Sequence, residues 1–338
     1  ASKLKSTRAY KDYEEIVKDL AHNFAREMES IDDEDALNNL VNRYIKQTEL
    51  CFKYMVKITT GVSDNLDKKS EGADVFVTDL VPQLSPTEEE PLVWRLQDLY
   101  DVEAVLQKIP EGDLLLTPLL QNIELVDYLG WGVLGARYSD GTIKIATLSL
   151  DLEELSEQYE GVSSLKIVLA HEIGHGIQIG DNSVDIEGEY SLHPSFGEGE
   201  PVIDFDEFYK IAGWKIYSRD RYSVDPESGD IILDGESIPL KTPVEVDGKE
   251  RVFMYDAWSD LLISYDADGE FSSRWYAKTS PWEDFAEAFS EYLFVPERLV
   301  HDAPHKFKHL EEEFKVYEND KYIQDLLKKE LGNSTNDN

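Results

Sequence analysis

The chain has 338 residues, 41% of them hydrophobic and 30% charged, with a formal net charge of −37. Its 18 tyrosines, 13 phenylalanines and six tryptophans exclude a disordered chain, and the length allows one large domain or two modest ones. The acidity sets nucleic acid and anionic membrane aside as partners, no apolar run is long enough to span a bilayer, and the single cysteine, Cys51, excludes an intrachain disulfide or a thiolate metal cluster.

Residues 9–31 and 35–58 each carry an apolar stripe of helical period, traced by Tyr13, Ile16, Leu20, Phe24 and Met28 and by Leu37, Leu40, Tyr44, Cys51, Met55 and Ile58. The turn Ser30–Asp35 between them predicts a helical hairpin over residues 1–60. No charged-then-apolar leader precedes it, so a soluble chain is expected, either cytoplasmic or secreted with its signal already removed. Asp64–Gly72 and Leu84–Pro91 read as loops, and the main body is expected over residues 75–331. Residues 96–109 predict a helix stopped by Pro110. Residues 131–138 and 142–149 flank Ser139-Asp140-Gly141 and predict a β-hairpin. A strand shortly before the next helix suits a sheet edge that holds an extended substrate.

That next helix carries the most informative run of the chain. Residues 162–179 have a capping serine at 163 or 164, a buried stripe of Leu165, Leu169, Ile173 and Ile177, and Gly180 as a stop. Within them stands His171-Glu172-Ile173-Gly174-His175. Histidines four apart share a helix face, so both imidazoles reach one metal ion, and Glu172 is then placed to take a proton from a water held there. Zinc is the expected metal, one ion per chain, since imidazole and carboxylate ligands suit it. The plain alternative is a core helix with two satisfied histidines. Burial weighs against it, because His171, Glu172 and His175 in an apolar segment all need partners, and one metal serves them together.

Residues 181–275 hold few helical signals and many turns, at Asp225–Gly229, Asp234-Gly235, Asp247-Gly248 and Asp268-Gly269. Short β runs at 230–233, 244–246 and 251–255 predict a β-rich insertion. Asp266–Gly269 reads as a β-turn rather than a calcium loop, since the later ligand positions do not follow. Residues 332–338 are expected to be a disordered tail.

A catalytic zinc takes three protein ligands, so a third is required. The downstream candidates are Glu187, Glu189, His193, the acidic run from Asp204 to Glu207, and the segment Ser280–Phe294. The last is the strongest. Ser280 can cap a helix, Pro281 suits its first position, and Glu283 and Glu287 stand one turn apart on one face. Two plainer readings compete: Glu283 closing a capping box with Ser280, and Glu283, Asp284, Glu287 and Glu291 forming a solvated acidic face.

With these two helices the chain resembles the glutamate-zincin peptidases, most closely the anthrax lethal factor and proline-specific endopeptidase group. The resemblance rests on the His171–His175 motif and on Glu283-Asp-Phe-Ala-Glu287-Ala-Phe289. Residues 286–296 also resemble regulatory peptidases of the phage-repressor-cleaving kind, which likewise place an acidic ligand in this helix. The resemblance implies an α+β zincin-like domain with an active-site helix, a ligand helix and a small sheet. It implies that Glu283 binds zinc with His171 and His175, that Glu287 supports the site from behind, and that Tyr276, seven residues before the ligand, stabilises an oxyanion. The expected activity is zinc-dependent cleavage of a protein or peptide substrate, with Glu172 as general base. The alternatives are a non-catalytic scaffold with a structural zinc and an amidase acting on non-protein amides.

Overall fold

The computed structural model describes residues 8–29, 31, 33–54, 56–61, 73–77, 92–109, 120–130, 132–138, 140–180, 185–186, 190–191, 205–225, 230–256 and 261–334. They form a mixed α+β structure with small sheets. Among them no helix is long and apolar enough to cross a membrane. Two compact units result, the first drawn from residues 1–107, 116–156 and 163–169, the second from 108–115, 157–162 and 170–338. The expected loops Asp64–Gly72 and Leu84–Pro91, most of the Asp225–Gly229 turn, and the candidate ligands Glu187, Glu189 and His193 lie outside the described residues.

The first unit opens with α1 (Arg8–Met28) and α2 (Glu34–Tyr54). Asp33 starts α2 by accepting from the Ala36 amide at 2.8 Å, and Tyr44 ties it back to α1 through its hydroxyl on Glu27, also at 2.8 Å. Cys51 is buried, as a small hydrophobe would be. The helix expected to run to residue 58 ends at Tyr54. Lys57–Thr60 is instead strand β1, in keeping with the β-branched residues Val56, Ile58, Thr59 and Thr60, which favour extended backbone. Gln47 of α2 donates to the Ile58 carbonyl at 2.6 Å. The hairpin therefore shares a compact unit with a sheet.

That sheet continues through β2 (Ala73–Val77), β3 (Asn122–Val126), β4 (Val133–Tyr138) and β5 (Thr142–Ala146), in the order β1-β3-β5-β4-β2. The first three in that order run parallel, whereas β4 is antiparallel to both of its neighbours. The predicted hairpin is β4–β5, turning at Gly141 with φ +88°. Helix α3 (Leu96–Lys108) lies where its periodicity put it, with Leu99, Val102, Val105 and Leu106 buried. A 3-10 turn (Thr147–Leu150) and the short α4 (Glu153–Gln158) lead to α5 (Ser164–Gly180), which passes into the second unit at Ala170.

The second unit holds the expected β-rich insertion. After the short pair β6 (Asp185–Ile186) and β7 (Tyr190–Ser191), β9 (Tyr222–Val224), β10 (Ile231–Leu233) and β11 (Glu236–Ile238) make a three-stranded sheet. A four-stranded sheet has the order β12 (Pro243–Val246), β13 (Lys249–Asp256), β14 (Leu261–Asp266), β8 (Lys215–Tyr217). Asp234-Gly235 and Asp247-Gly248 make the two tightest links, with all four residues at φ between +51° and +89°. Aspartate-glycine tolerates that left-handed backbone, which matches the twist of antiparallel strands. Asp266 spends its carboxylate on Arg251 at 2.6 Å and Lys249 at 2.8 Å, so the Asp266–Gly269 segment is a turn.

One helix here was not expected. Phe205–Ala212 forms α6, burying Phe205, Phe208, Tyr209 and Ala212 at helical spacing. Two turns are too short to stand out against a run of turn signals. The unit closes with α7 (Pro281–Phe294), α8 (Pro296–Asp302), α9 (Pro304–Phe314) and α10 (Lys321–Ser334). The last runs through Gly332, where the tail was expected to begin, because Ile323 and Leu327 anchor it in the core.

Candidate metal centre

Helix α5 begins as its serines predict. The Ser163 hydroxyl accepts from the Lys166 amide at 3.4 Å, and the Ser164 hydroxyl donates to the Ser149 carbonyl at 2.7 Å. Leu165, Leu169, Ile173 and Ile177 are all buried, and His171, Glu172 and His175 are at most 1% exposed. Helix α7 starts at Pro281, with the Ser280 hydroxyl accepting from the Glu283 amide at 3.2 Å. The capping bond and the ligand reading coexist, since the cap uses only the Glu283 backbone. The solvated-face reading fails. Asp284, Glu287 and Glu291 are fully buried, and the Glu283 side chain is 15% exposed.

Gly174 sets the approach of the two helices. A methyl group there would lie 3.0 Å from the Ala286 Cα and 3.4 Å from its Cβ. Gly174 stands between the two histidines, and Ala286 stands between Glu283 and Glu287, so this contact brings both sets of side chains together.

The Nε2 atoms of His171 and His175 are 3.0 Å apart. One Glu283 oxygen is 3.0 Å from the first and 3.4 Å from the second. Among the described residues these three make the one group of histidine, cysteine or carboxylate ligands able to hold a metal ion. Tetrahedral zinc with bonds of about 2.0–2.1 Å sets its ligand atoms about 3.3–3.4 Å apart, close to this triangle.

The chemistry of the three atoms supports the fit. Gln178 donates through Nε2 to the Trp282 carbonyl at 3.1 Å and to the Tyr209 hydroxyl at 2.8 Å. A carbonyl only accepts, so the amide orientation is fixed, and its oxygen faces His175 Nδ1 at 3.1 Å. His175 Nδ1 must then carry the proton, which leaves the Nε2 lone pair facing His171 and Glu283. On the other ring, His171 Nδ1 lies 3.4 Å from a Glu287 oxygen. That carboxylate accepts from Arg274 at 2.6 Å and from the Tyr159 hydroxyl at 2.7 Å, so it too presents an acceptor to a ring N–H. When His171 likewise carries its proton on Nδ1, three acceptors converge in a dry site, and such a cluster is favourable only around a positive charge.

The electrostatics favour a positive charge at this point. Burial opposes charge on His171, yet hydrogen bonds that its ring donates to the Glu283 and Glu287 carboxylates carry its pKa above the usual histidine value. Burial likewise opposes charge on Glu283, but the two imidazoles outweigh it and bring its pKa down to about 2. Tyr276 stands in the 3-10 turn Trp275–Lys278, with its ring centroid 6.1 Å from that of His171. Every residue singled out for this site thus lies in the second unit.

Sequence reasoning missed the supports. Gln178 had a signal, since it stands one turn after His175 on the same face. Tyr159 and Tyr209 had none, because each reaches the site from a distant segment, and no local pattern marks Arg274, two residues before Tyr276. The same holds for the pair that anchors α7 to α9, in which Lys306 meets the Asp284 carboxylate at 2.5 Å and the Trp214 indole donates to it at 2.8 Å. Of the acidic run once considered for the third ligand, Asp206 and Glu207 open α6 and do not join the group. No protein-family model, curated protein or solved structure matches the chain.

Proposed function

We propose that the chain is a zinc-dependent endopeptidase of the glutamate-zincin class, with His171, His175 and Glu283 holding the metal. The observation that carries this reading is the convergence of three acceptor atoms on one point, beside a fully buried glutamate that follows the first histidine. Bound zinc supplies Lewis acidity, polarising a carbonyl and making a water nucleophilic near pH ~7. Glu172 removes the proton from the attacking water and delivers it to the leaving amine. Tyr276 donates to the oxygen of the scissile carbonyl as charge develops there. A structural zinc site closes with four protein ligands, whereas the group found among the described residues has three, which favours catalysis over a scaffold role.

The test compares bound zinc with cleavage of a peptide library. About one zinc per chain is expected, together with cleavage that chelation abolishes. Glu172→Gln should keep the zinc and lose turnover, and Tyr276→Phe should keep the zinc and slow turnover by ~100-fold or more. Undiminished cleavage by Glu172→Gln removes the mechanism, and a zinc-free protein after zinc is supplied removes the metal.

A further inference from the structure

Glu287 is the only carboxylate of α7 whose two oxygens divide between a ligand histidine and two other side chains among the described contacts. Its Oε1 lies between the Arg274 guanidinium, at 2.6 Å, and His171 Nδ1, at 3.4 Å. Its Oε2 receives the Tyr159 hydroxyl at 2.7 Å. All of these groups are buried: Tyr159, His171 and Glu287 completely, and Arg274 to within 7%. Neither partner comes from a ligand helix. Tyr159 stands in the turn after α4, under the Arg298 guanidinium at 4.7 Å, and Arg274 immediately precedes the turn that bears Tyr276.

A carboxylate with one bond to a ring N–H can rotate about its last torsion and lose that bond. Two further donors at fixed positions remove the freedom, because each oxygen then has one direction in which all its bonds are satisfied. The Arg274 cation also offsets the cost of burying the Glu287 charge. We infer that Arg274 and Tyr159 are positioning residues, which act through Glu287 to hold His171 with its proton on Nδ1 and its lone pair on Nε2 toward the metal. This rests on the metal reading of the site and extends it to two residues that touch neither metal nor substrate.

The test reads the His171 ring directly. Nitrogen-15 spectra of histidine-labelled protein, taken at a pH high enough that the ring signals no longer move with pH, distinguish the two tautomers of the neutral ring. Native protein should show His171 protonated on Nδ1. Arg274→Met should give a mixture, Arg274→Lys should restore much of the native signal, and Tyr159→Phe should fall between them. Zinc affinity, from competition with a chelator, should drop about 10–100-fold in Arg274→Met. In a Glu287→Gln background the same change should cost less than about 3-fold, because residues acting through one another do not add. Full, independent losses in both backgrounds would make Arg274 a packing residue and overturn the inference, as would an unaltered His171 spectrum in folded Arg274→Met. Native protein that binds no zinc while His171 still follows Arg274 would instead sink the metal reading and leave the positioning role standing.

Discussion

Gly174→Ala tests whether the contact between α5 and α7 sets the metal centre. Alanine would gain about 0.8–1.0 kcal/mol of helix propensity over glycine at this interior position. Against that, its methyl group would lie 3.0 Å from the Ala286 Cα and 3.5 Å from the Phe289 Cβ. The nearest atom is backbone and cannot swing aside, so the helices must part by a few tenths of an ångström. Overpacking of this kind costs about 1–3 kcal/mol, leaving a net loss of roughly 0–2 kcal/mol when the helices stay closed. The ligand atoms are 3.0–3.4 Å apart across these same helices, so zinc binding demands the closed spacing. The propensity gain is common to the parted and closed states, so binding a metal costs a parted pair the whole overpacking term, and about 1–3 kcal/mol corresponds to about 5- to 150-fold in affinity. Chelator competition should therefore show zinc affinity lowered about 5- to 150-fold in Gly174→Ala, with little loss of thermal stability in the metal-free protein. Gly174→Val should bind zinc more weakly still. Native affinity in both variants would refute the claim that this contact sets the ligand spacing.

Three further predictions follow from the same helix. Glu283→Ala should nearly abolish zinc binding while Glu287→Ala costs about 10–100-fold, and the reverse order would place the ligand one turn further along α7. Lys306→Met should cost about 3–5 kcal/mol in denaturant unfolding, because it leaves the buried Asp284 carboxylate without its cation; a loss below about 1 kcal/mol would refute this. Burial pushes the Glu291 carboxyl up from 4.5 to about 7, against the opposing pull of Arg298 and Ser273. A raised folded-state value contributes stability that is present below the unfolded value and lost as pH rises through the folded one. Native stability relative to Glu291→Gln should thus fall by about 3 kcal/mol between pH ~4 and ~8, and parallel profiles for the two proteins would refute the assignment.

Local pattern carried much of the fold. The stripes of α3 and α5, the Asp-Gly turns of the second unit and the β4–β5 hairpin each express a choice made within a dozen residues. The errors arose where tertiary context prevailed. Residues 55–58 continue the helical period of α2, yet Lys57–Thr60 pairs with Asn122–Leu125, a partner more than sixty residues away that no local pattern reveals. Helix α6 is specified by a buried aromatic face whose partners, notably Phe285, belong to α7.

The candidate site divides along the same line. His171, Glu172 and His175 are legible because helical periodicity alone puts two imidazoles on one face. Glu283 is legible only through a resemblance, since its local surroundings describe a capping position and an acidic face equally well. What removes the solvated face is burial, and burial is a property of the packed unit. Once Gly174 brings α7 against α5, every acidic group of that helix must find a cation or a donor in a dry interior. Asp284 takes Lys306, Glu287 takes Arg274 and Tyr159, and Glu291 takes Arg298 and Ser273. Glu283 alone of the four is turned to two imidazoles whose lone pairs also face inward. A protein cation faces each of the other three, although one Glu291 oxygen is buried without a hydrogen bond among the described residues. For Glu283 we propose that the partner which satisfies carboxylate and imidazoles together is a metal ion.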